Sequence, residues 1–302
     1  ENTYSDDQLS LALGRNFYPR YRLSITATRD QATYRQLENT GGVLGRTTAV
    51  EYRLYARQRS YTHASEARLD LPDVPADSAG FRQTGTNLFV GGTAAFRYRK
   101  FAIETAGEYK PAFTTANEYW LRAAARLGPL MGEVLSASYS PTLTEQRLSG
   151  NHYSWNTNFS NTQVQQVRVV VSQQLGRQHV EAAGAVANIT NLVFYNQQAR
   201  PAQLSSAKQL FIVYARHRFN LGHFFADNQA TYTAGGDGEG LRIPAVVGES
   251  RLYYQGYVFK KALLGQAGVQ GYFQSRWRAY GYSPSTQQFF VQDNFTIRNL
   301  PV

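Results

Sequence analysis

Cysteine is absent from this chain, methionine occurs once and tryptophan three times in 302 residues. With no thiol there is no disulfide framework, and zinc sites built on cysteine are excluded. The absence suits an oxidising compartment, although many cytosolic chains share it. Long apolar runs are missing as well: nothing approaches the roughly 18 consecutive apolar residues of a membrane-spanning helix. A basic stretch leading into an apolar one is missing at Glu1, so any export signal has been removed or lies outside this sequence. Acidic residues are the scarcer sign, 21 Asp plus Glu against 31 Lys plus Arg, for a net charge of +10. Those cations are scattered one or two per segment instead of gathered in one tract, which argues against a nucleic-acid partner.

What is present is a rhythm of alternating apolar and polar residues. Val50-Glu51-Tyr52-Arg53-Leu54-Tyr55-Ala56-Arg57 puts Val, Tyr, Leu and Ala on one side of a strand and Glu, Arg, Tyr and Arg on the other. Mean hydropathy is −0.44. A membrane protein this polar has to be a barrel, in which half of each strand meets lipid and half meets water. A soluble β-sandwich alternates too, but seldom in so many long strands joined in so regular a meander.

Strands are predicted near 8–14, 20–33, 46–60, 88–98, 101–110, 118–127, 132–140, 163–175, 178–190, 208–219, 223–233, 249–259, 262–276 and 288–298. Tight turns join several neighbours, at Arg99-Lys100, Leu127-Gly128-Pro129, Gly176-Arg177, Asn220-Leu221-Gly222 and Lys260-Lys261. Longer connections at 111–117, 141–162, 191–207, 234–248 and 277–287 are rich in loop-forming residues. Short turns on one side and long loops on the other are the outer-membrane arrangement. The parity breaks once, because 34–45 and 61–87 both look long. Either a strand is missed inside 61–87 or 34–45 is an overlong periplasmic turn. The expected fold is all-β: a transmembrane antiparallel up-and-down β-barrel of about 14–16 strands, one domain over 1–302. The ending Asn299-Leu300-Pro301-Val302 has no terminal aromatic residue, so the barrel is expected to be incomplete there.

The stretch from Glu249 to Asn294 is the most distinctive. It runs Arg251-Leu-Tyr-Tyr-Gln-Gly-Tyr-Val-Phe-Lys-Lys-Ala-Leu-Leu264, Gln266-Ala-Gly-Val-Gln-Gly-Tyr-Phe273, Ala279-Tyr-Gly-Tyr-Ser-Pro284 and Gln288-Phe-Phe-Val-Gln292. This resembles the "putative porin" family of Bacteroidetes, with its Phe-Lys-Lys hairpin turn, its Tyr segment ending in Pro and its Phe-Phe-Val-Gln strand. The resemblance implies an outer-membrane β-barrel of undefined substrate and transfers no catalytic or ligand residue. Tyr280 and Tyr282 fit an interfacial girdle or loop packing equally well.

Arginines share faces with other polar residues opposite apolar neighbours. Arg53 and Arg57 lie on the Glu51 face, Arg97 and Arg99 oppose Phe96 and Tyr98, Arg122 and Arg126 oppose Leu121 and Ala123, and Arg216 and Arg218 oppose Val213 and Phe219. An arginine on the lipid side at the midplane costs about 2–4 kcal/mol, so all eight, with Glu51 and Glu104, are expected to line the lumen. Glu108, Glu133 and Glu181 are expected beside them, either pairing with the arginines or leaving a field that favours anions. Asn151, His152 and Ser154 contain pieces of a hydrolytic set, but adjacency in sequence is not convergence in space. Glycines and acids at 235–240 hint at calcium without its ligand spacing and read better as a flexible loop, while Gly91-Gly92 predicts a bulge or bend.

The sequence therefore predicts a non-enzymatic porin-like channel in a bacterial outer membrane, needing no cofactor and no metal. Its expected partners are lipid and small hydrophilic solutes, anions being favoured where the arginines are left unpaired. The alternative is a barrel that scaffolds a surface assembly and binds protein or glycan through loops 141–162 and 277–287.

Overall fold

The computed structural model describes residues 2–6, 22–24, 28–67, 80–111 and 117–301. One antiparallel sheet of fourteen strands runs through it, each strand paired with its neighbours in chain order. The first seven are β1 (Asn2–Asp6), β2 (Thr28–Arg46), β3 (Val50–Ala67), β4 (Gly80–Tyr98), β5 (Phe101–Lys110), β6 (Glu118–Leu127) and β7 (Leu130–Tyr139). The rest are β8 (Thr162–Leu175), β9 (Gln178–Thr190), β10 (Lys208–Leu221), β11 (Phe224–Ala234), β12 (Val246–Val258), β13 (Leu263–Gln274) and β14 (Leu300–Pro301). Among the described residues β1 and β14 form the two edges and do not pair, so the sheet is open.

The parity break has neither expected cause: 34–45 is not a turn, and the described parts of 61–87 are the ends of β3 and β4 and hold no extra strand. Residues 34–45 belong to β2, with Gly41 and Gly42 opposite Ala56 and Tyr55, and the turn lies at Thr47–Ala49. There the Thr47 hydroxyl accepts from Val50 N at 3.0 Å, a side-chain-closed turn that needs neither Gly nor Pro. Segment 288–298 departs from expectation: Gln288–Ile297 pairs with Trp277–Ser283 in a hairpin outside the main sheet. The strand expected at 8–14 lies outside the described residues. Gly91-Gly92 makes no bulge, because the register runs unbroken through both positions.

Two-residue turns close the short-connection end. Gly128, Gly176 and Gly222 occupy their first central positions with φ of 58°, 59° and 60°, the positive value such hairpin turns require. Arg99 takes the same position between β4 and β5 with φ 53°.

One face of the sheet is apolar and bare. Val167, Val169 and Val171 on β8 are each about half exposed, as are Leu54, Leu121, Val134 and Leu252. Aromatic residues bound this band at both ends: Phe101 and Tyr109, Phe211 and Phe219, and Phe224 and Tyr232 each share this face, eight residues apart. A hydrocarbon band between two aromatic girdles is the outer surface of a membrane barrel. His217, Asn228 and Ser250 interrupt it, and Ser250 Oγ donates to Asn228 Oδ1 at 2.6 Å.

The long connections pack on one another into a cap. A helical turn at Leu143–Gln146 leads into a hairpin of Arg147–Ser149 and Ser154–Asn156, followed by hairpins at Val193–Tyr195/Pro201–Gln203, Asp237–Gly238/Leu241–Arg242 and Trp277–Ser283/Gln288–Ile297. Leu148, Tyr153 and Ala199 form its small core, with Trp155 and Phe290 packed against them. Tyr280 belongs here, accepting from Arg242 N at 3.0 Å, which settles it as cap packing and not a girdle. Asp237 of the acidic Gly-rich loop pairs with Arg278 at 3.0 Å, and Arg242 and Arg278 both reach Asp293 at 2.8 Å.

The cap seats on the charged face of the sheet at the loop ends of β2 and β3. Asn151, fully buried, donates its backbone N–H to both oxygens of Asp30 at 2.8 and 3.0 Å. His152 Nε2 and Thr28 Oγ1 are 2.8 Å apart, and Ser65 Oγ donates to Ser149 O at 2.7 Å. From the other edge, Gln287 Nε2 donates to Thr3 O of β1 at 3.4 Å.

Candidate functional site

The charged face carries the candidate site, and its chemistry is assembled by register. Arg57 stands directly opposite Phe89, and Glu108 stands opposite Gly91 one strand further on. The Arg57 guanidinium grips both oxygens of Glu108, with Nε to Oε2 at 3.1 Å, and reaches back to Glu38 Oε2 at 2.9 Å. Arg59 Nε also donates to Glu38, at 3.0 Å. The Phe89 ring lies beneath both arginines, 4.3 Å from the Arg57 carbon and 5.2 Å from that of Arg59, a doubled cation–π stack. Tyr55 completes the cluster by donating its hydroxyl to Glu108 Oε2 at 3.0 Å. Its ring passes over Gly91, where an added Cβ would come within 2.6 Å of the hydroxyl. That glycine is therefore a place for tyrosine to cross.

A second cluster spans β4 to β7. Arg97 pairs with Glu104 at 2.9 Å, and Arg122 holds Glu133 through its Nε at 2.8 Å and a second contact. Arg126 has the Met131 sulfur at 3.6 Å and no carboxylate partner among the described residues. A third cluster spans β10 to β13. Arg216 binds Asp227 with two parallel bonds at 2.8 and 2.6 Å, the fork geometry that suits a carboxylate. Glu249 accepts from Arg251, Gln229 and Gln270 at 2.7–2.8 Å.

Of the ten residues named from sequence, Arg57, Arg97, Arg122, Arg216 and Glu104 are thus in ion pairs. Arg53 lies beside the Tyr55 ring at 5.5 Å, and Arg218 stands opposite Asp227 in register. Glu51 sits at the turn end of β3 opposite Arg46. Arg99 differs from the others in lying in a turn, its guanidinium 5.2 Å from the Tyr98 ring. Glu38, Arg59, Phe89 and Asp227 were not singled out by sequence. Glu38 fell in the segment read as a long connection.

The Asn151–His152 pair is a structural bolt under the cap. The Asn151 carboxamide accepts from Leu23 N and Ser24 N at 2.9 and 3.0 Å and donates to Thr28 Oγ1 at 2.8 Å. Burial beneath the cap pushes the Asp30 carboxyl up to about 6, against the opposing pull of Asn151 N–H and Arg22. Among the described residues no group of three or more His, Asp or Glu is placed to hold a metal ion.

Paired charges on one face, a bare apolar band on the other and aromatic rims describe a wall with water on one side and lipid on the other. The model of the "Putative porin" family matches residues 1–302. The chain belongs to that family. It is a β-barrel protein of the bacterial outer membrane, and outer-membrane lipid is the medium of its apolar face.

Solved structures of similar fold agree. The siderophore receptor PirA from Acinetobacter baumannii superimposes with a TM-score of 0.62 at 7% identity, over 93% of this chain and 50% of the receptor. The copper transporter OprC gives 0.63 at 13%, over 91% and 48%. The FrpB iron transporter from Neisseria meningitidis gives 0.61 at 10%, over 91% and 48%. The chain spans about half the length of these proteins. Comparison with curated protein sequences finds no match.

Proposed function

We propose that the charged face lines a water-filled lumen through which small hydrophilic solutes diffuse passively, with a modest preference for anions. Arg53, Arg57, Arg97, Arg99, Arg122, Arg126, Arg216 and Arg218, with Glu51 and Glu104, are the lining residues this reading names. The observation that carries it is the segregation of charge: guanidinium–carboxylate pairs recur from β2 to β12 on the face opposite the apolar band. Pairing cancels most of the field, so selectivity rests on Arg53, Arg99 and Arg126, which make no ion pair among the described residues. The test is conductance of the purified protein in a planar bilayer under a salt gradient. Stepwise channels with a reversal potential mildly toward anions are expected; a cation-favouring potential removes the anion preference.

A second reading is favoured by the cap. Its loops are ordered around a core of their own and braced by Arg242, Arg278 and Asp293, an architecture suited to recognition at the cell surface. In that reading the protein binds a protein or glycan partner as part of a surface assembly. A silent bilayer together with loss of partner binding on disrupting the cap decides for it.

A further inference from the structure

We propose that the turn end of β4 to β8 carries a binding site for a phosphate-type anion, free or as the headgroup of a larger molecule. The inference rests on reading the charged face as water-filled. A cavity of about 700 Å³ opens there. Across its floor Arg97, Ala102 and Arg126 stand in one row on three adjacent strands, because Ala102 is the register partner of both arginines. Two guanidiniums thus flank a methyl group, separated by two interstrand spacings of about 4.8 Å each. Ala124, buried, continues the small floor. Arg99 and Lys100 of the neighbouring turn complete the lining, and Gly128 N–H donates to Lys100 O at 3.1 Å, which ties the two turns together. Among the described residues four cations face one carboxylate, Glu104, and that carboxylate pairs with Arg97.

Arg99 supplies an independent observation. The three sister turns place glycine at the first central position, whereas here an arginine holds φ 53°. A side chain costs more than glycine at that angle, as it also does at Phe259, Lys260 and Lys261 of the β12–β13 turn, so what marks Arg99 is its place on the cavity lining and not the angle alone. What the chain gains is a fourth cation at the cavity rim. Planar guanidiniums with unshared N–H edges match the oxygens of a tetrahedral anion, and Arg126 has no carboxylate partner among the described residues.

Isothermal titration of the full chain in nonionic detergent with inorganic phosphate and pyrophosphate tests the site. Saturable binding is expected, weakened at least about tenfold, or 1.4 kcal/mol, in Arg97→Gln/Arg126→Gln. Arg99→Gly is expected to weaken binding while raising the unfolding midpoint, an outcome that a merely structural turn residue does not give. Lys260→Gln, in the remote β12–β13 turn, is the control and leaves affinity unchanged. Unsaturable binding, equal loss in Lys260→Gln, or full affinity in the double variant overturns the site. Repeating the titration in phosphatidylcholine nanodiscs with and without phosphatidylglycerol separates sources: competition assigns a lipid headgroup, indifference a free anion. Channels without phosphate binding overturn this inference alone, and phosphate binding without channels overturns the pore alone.

Discussion

Tyr55, Gly91, Arg57 and Glu108 show how a single residue acts through its neighbours. Glu108 is held from two sides, by a phenol and a guanidinium, and its side chain is 10% exposed. Glu108→Ala leaves the Tyr55 hydroxyl without its acceptor and Arg57 with Glu38 alone, and is expected to cost about 1–2 kcal/mol. Gly91→Val obstructs the Tyr55 ring directly and is expected to cost about 1–3 kcal/mol. Because both changes dismantle one network, the double variant should lose less than the sum, which urea unfolding of the lipid-refolded protein measures. The turn residue Arg99 works in the opposite direction. Removing a side chain from a left-handed position relieves about 1 kcal/mol, so Arg99→Gly should be more stable in the same assay.

At the level of elements, the strands differ in what each face meets. Val169 sits mid-strand on the apolar face of β8, and Gln166 on the charged face. Val169→Arg is expected to destabilise by about 2–4 kcal/mol, while Gln166→Arg should stay within about 0.5 kcal/mol. Equal costs would contradict the assignment of lipid to the apolar side. Alternation alone made these faces legible in the sequence, because a period of two depends on local spacing and nothing else. Asn39-Thr40-Gly41-Gly42 misled, since its composition is that of a turn while its position is the middle of β2. The true turn at Thr47–Ala49 is closed by a threonine side chain and carries no Gly or Pro signal. Gln288–Ile297 alternates like a wall strand, and only its partner reveals that it belongs to the cap. The face of the candidate lining residues was readable for the same local reason; their partners were not. Arg57 and Glu108 lie 51 residues apart, and register across intervening strands brings them together.

For the whole molecule, the docking of cap on sheet is the relation that long-range contacts decide. Asp30 lies beyond the apolar band on β2 and outside the membrane-spanning part, and its carboxyl is raised from 3.8 to about 6 by burial. The raised value means that the docked state binds the proton more tightly than the undocked one. This contribution is fully present below about pH 4 and fades as pH rises through about 6. His63, buried against the edge of Phe81, has the opposite sign. Burial lowers its imidazole below the usual 6.5, so its contribution is present above that pH and fades on acidification. Amide exchange at Gly150 and Asn151, corrected for intrinsic rates, should slow from pH 7.5 to pH 5 in His63→Phe, where Asp30 acts alone. In Asp30→Asn that slowing should vanish.

The spacing of the aromatic rows also fixes a length. Eight residues at about 3.4 Å each span about 27 Å along a strand, and a tilt of about 40° leaves about 20 Å across the bilayer. Such a wall suits a thin membrane, as the bacterial outer membrane is. Insertion from urea should be most efficient into vesicles whose acyl chains carry about twelve carbons, and should decline as the chains lengthen toward eighteen. The protein would then carry in its rings a preference for where in the envelope it can settle.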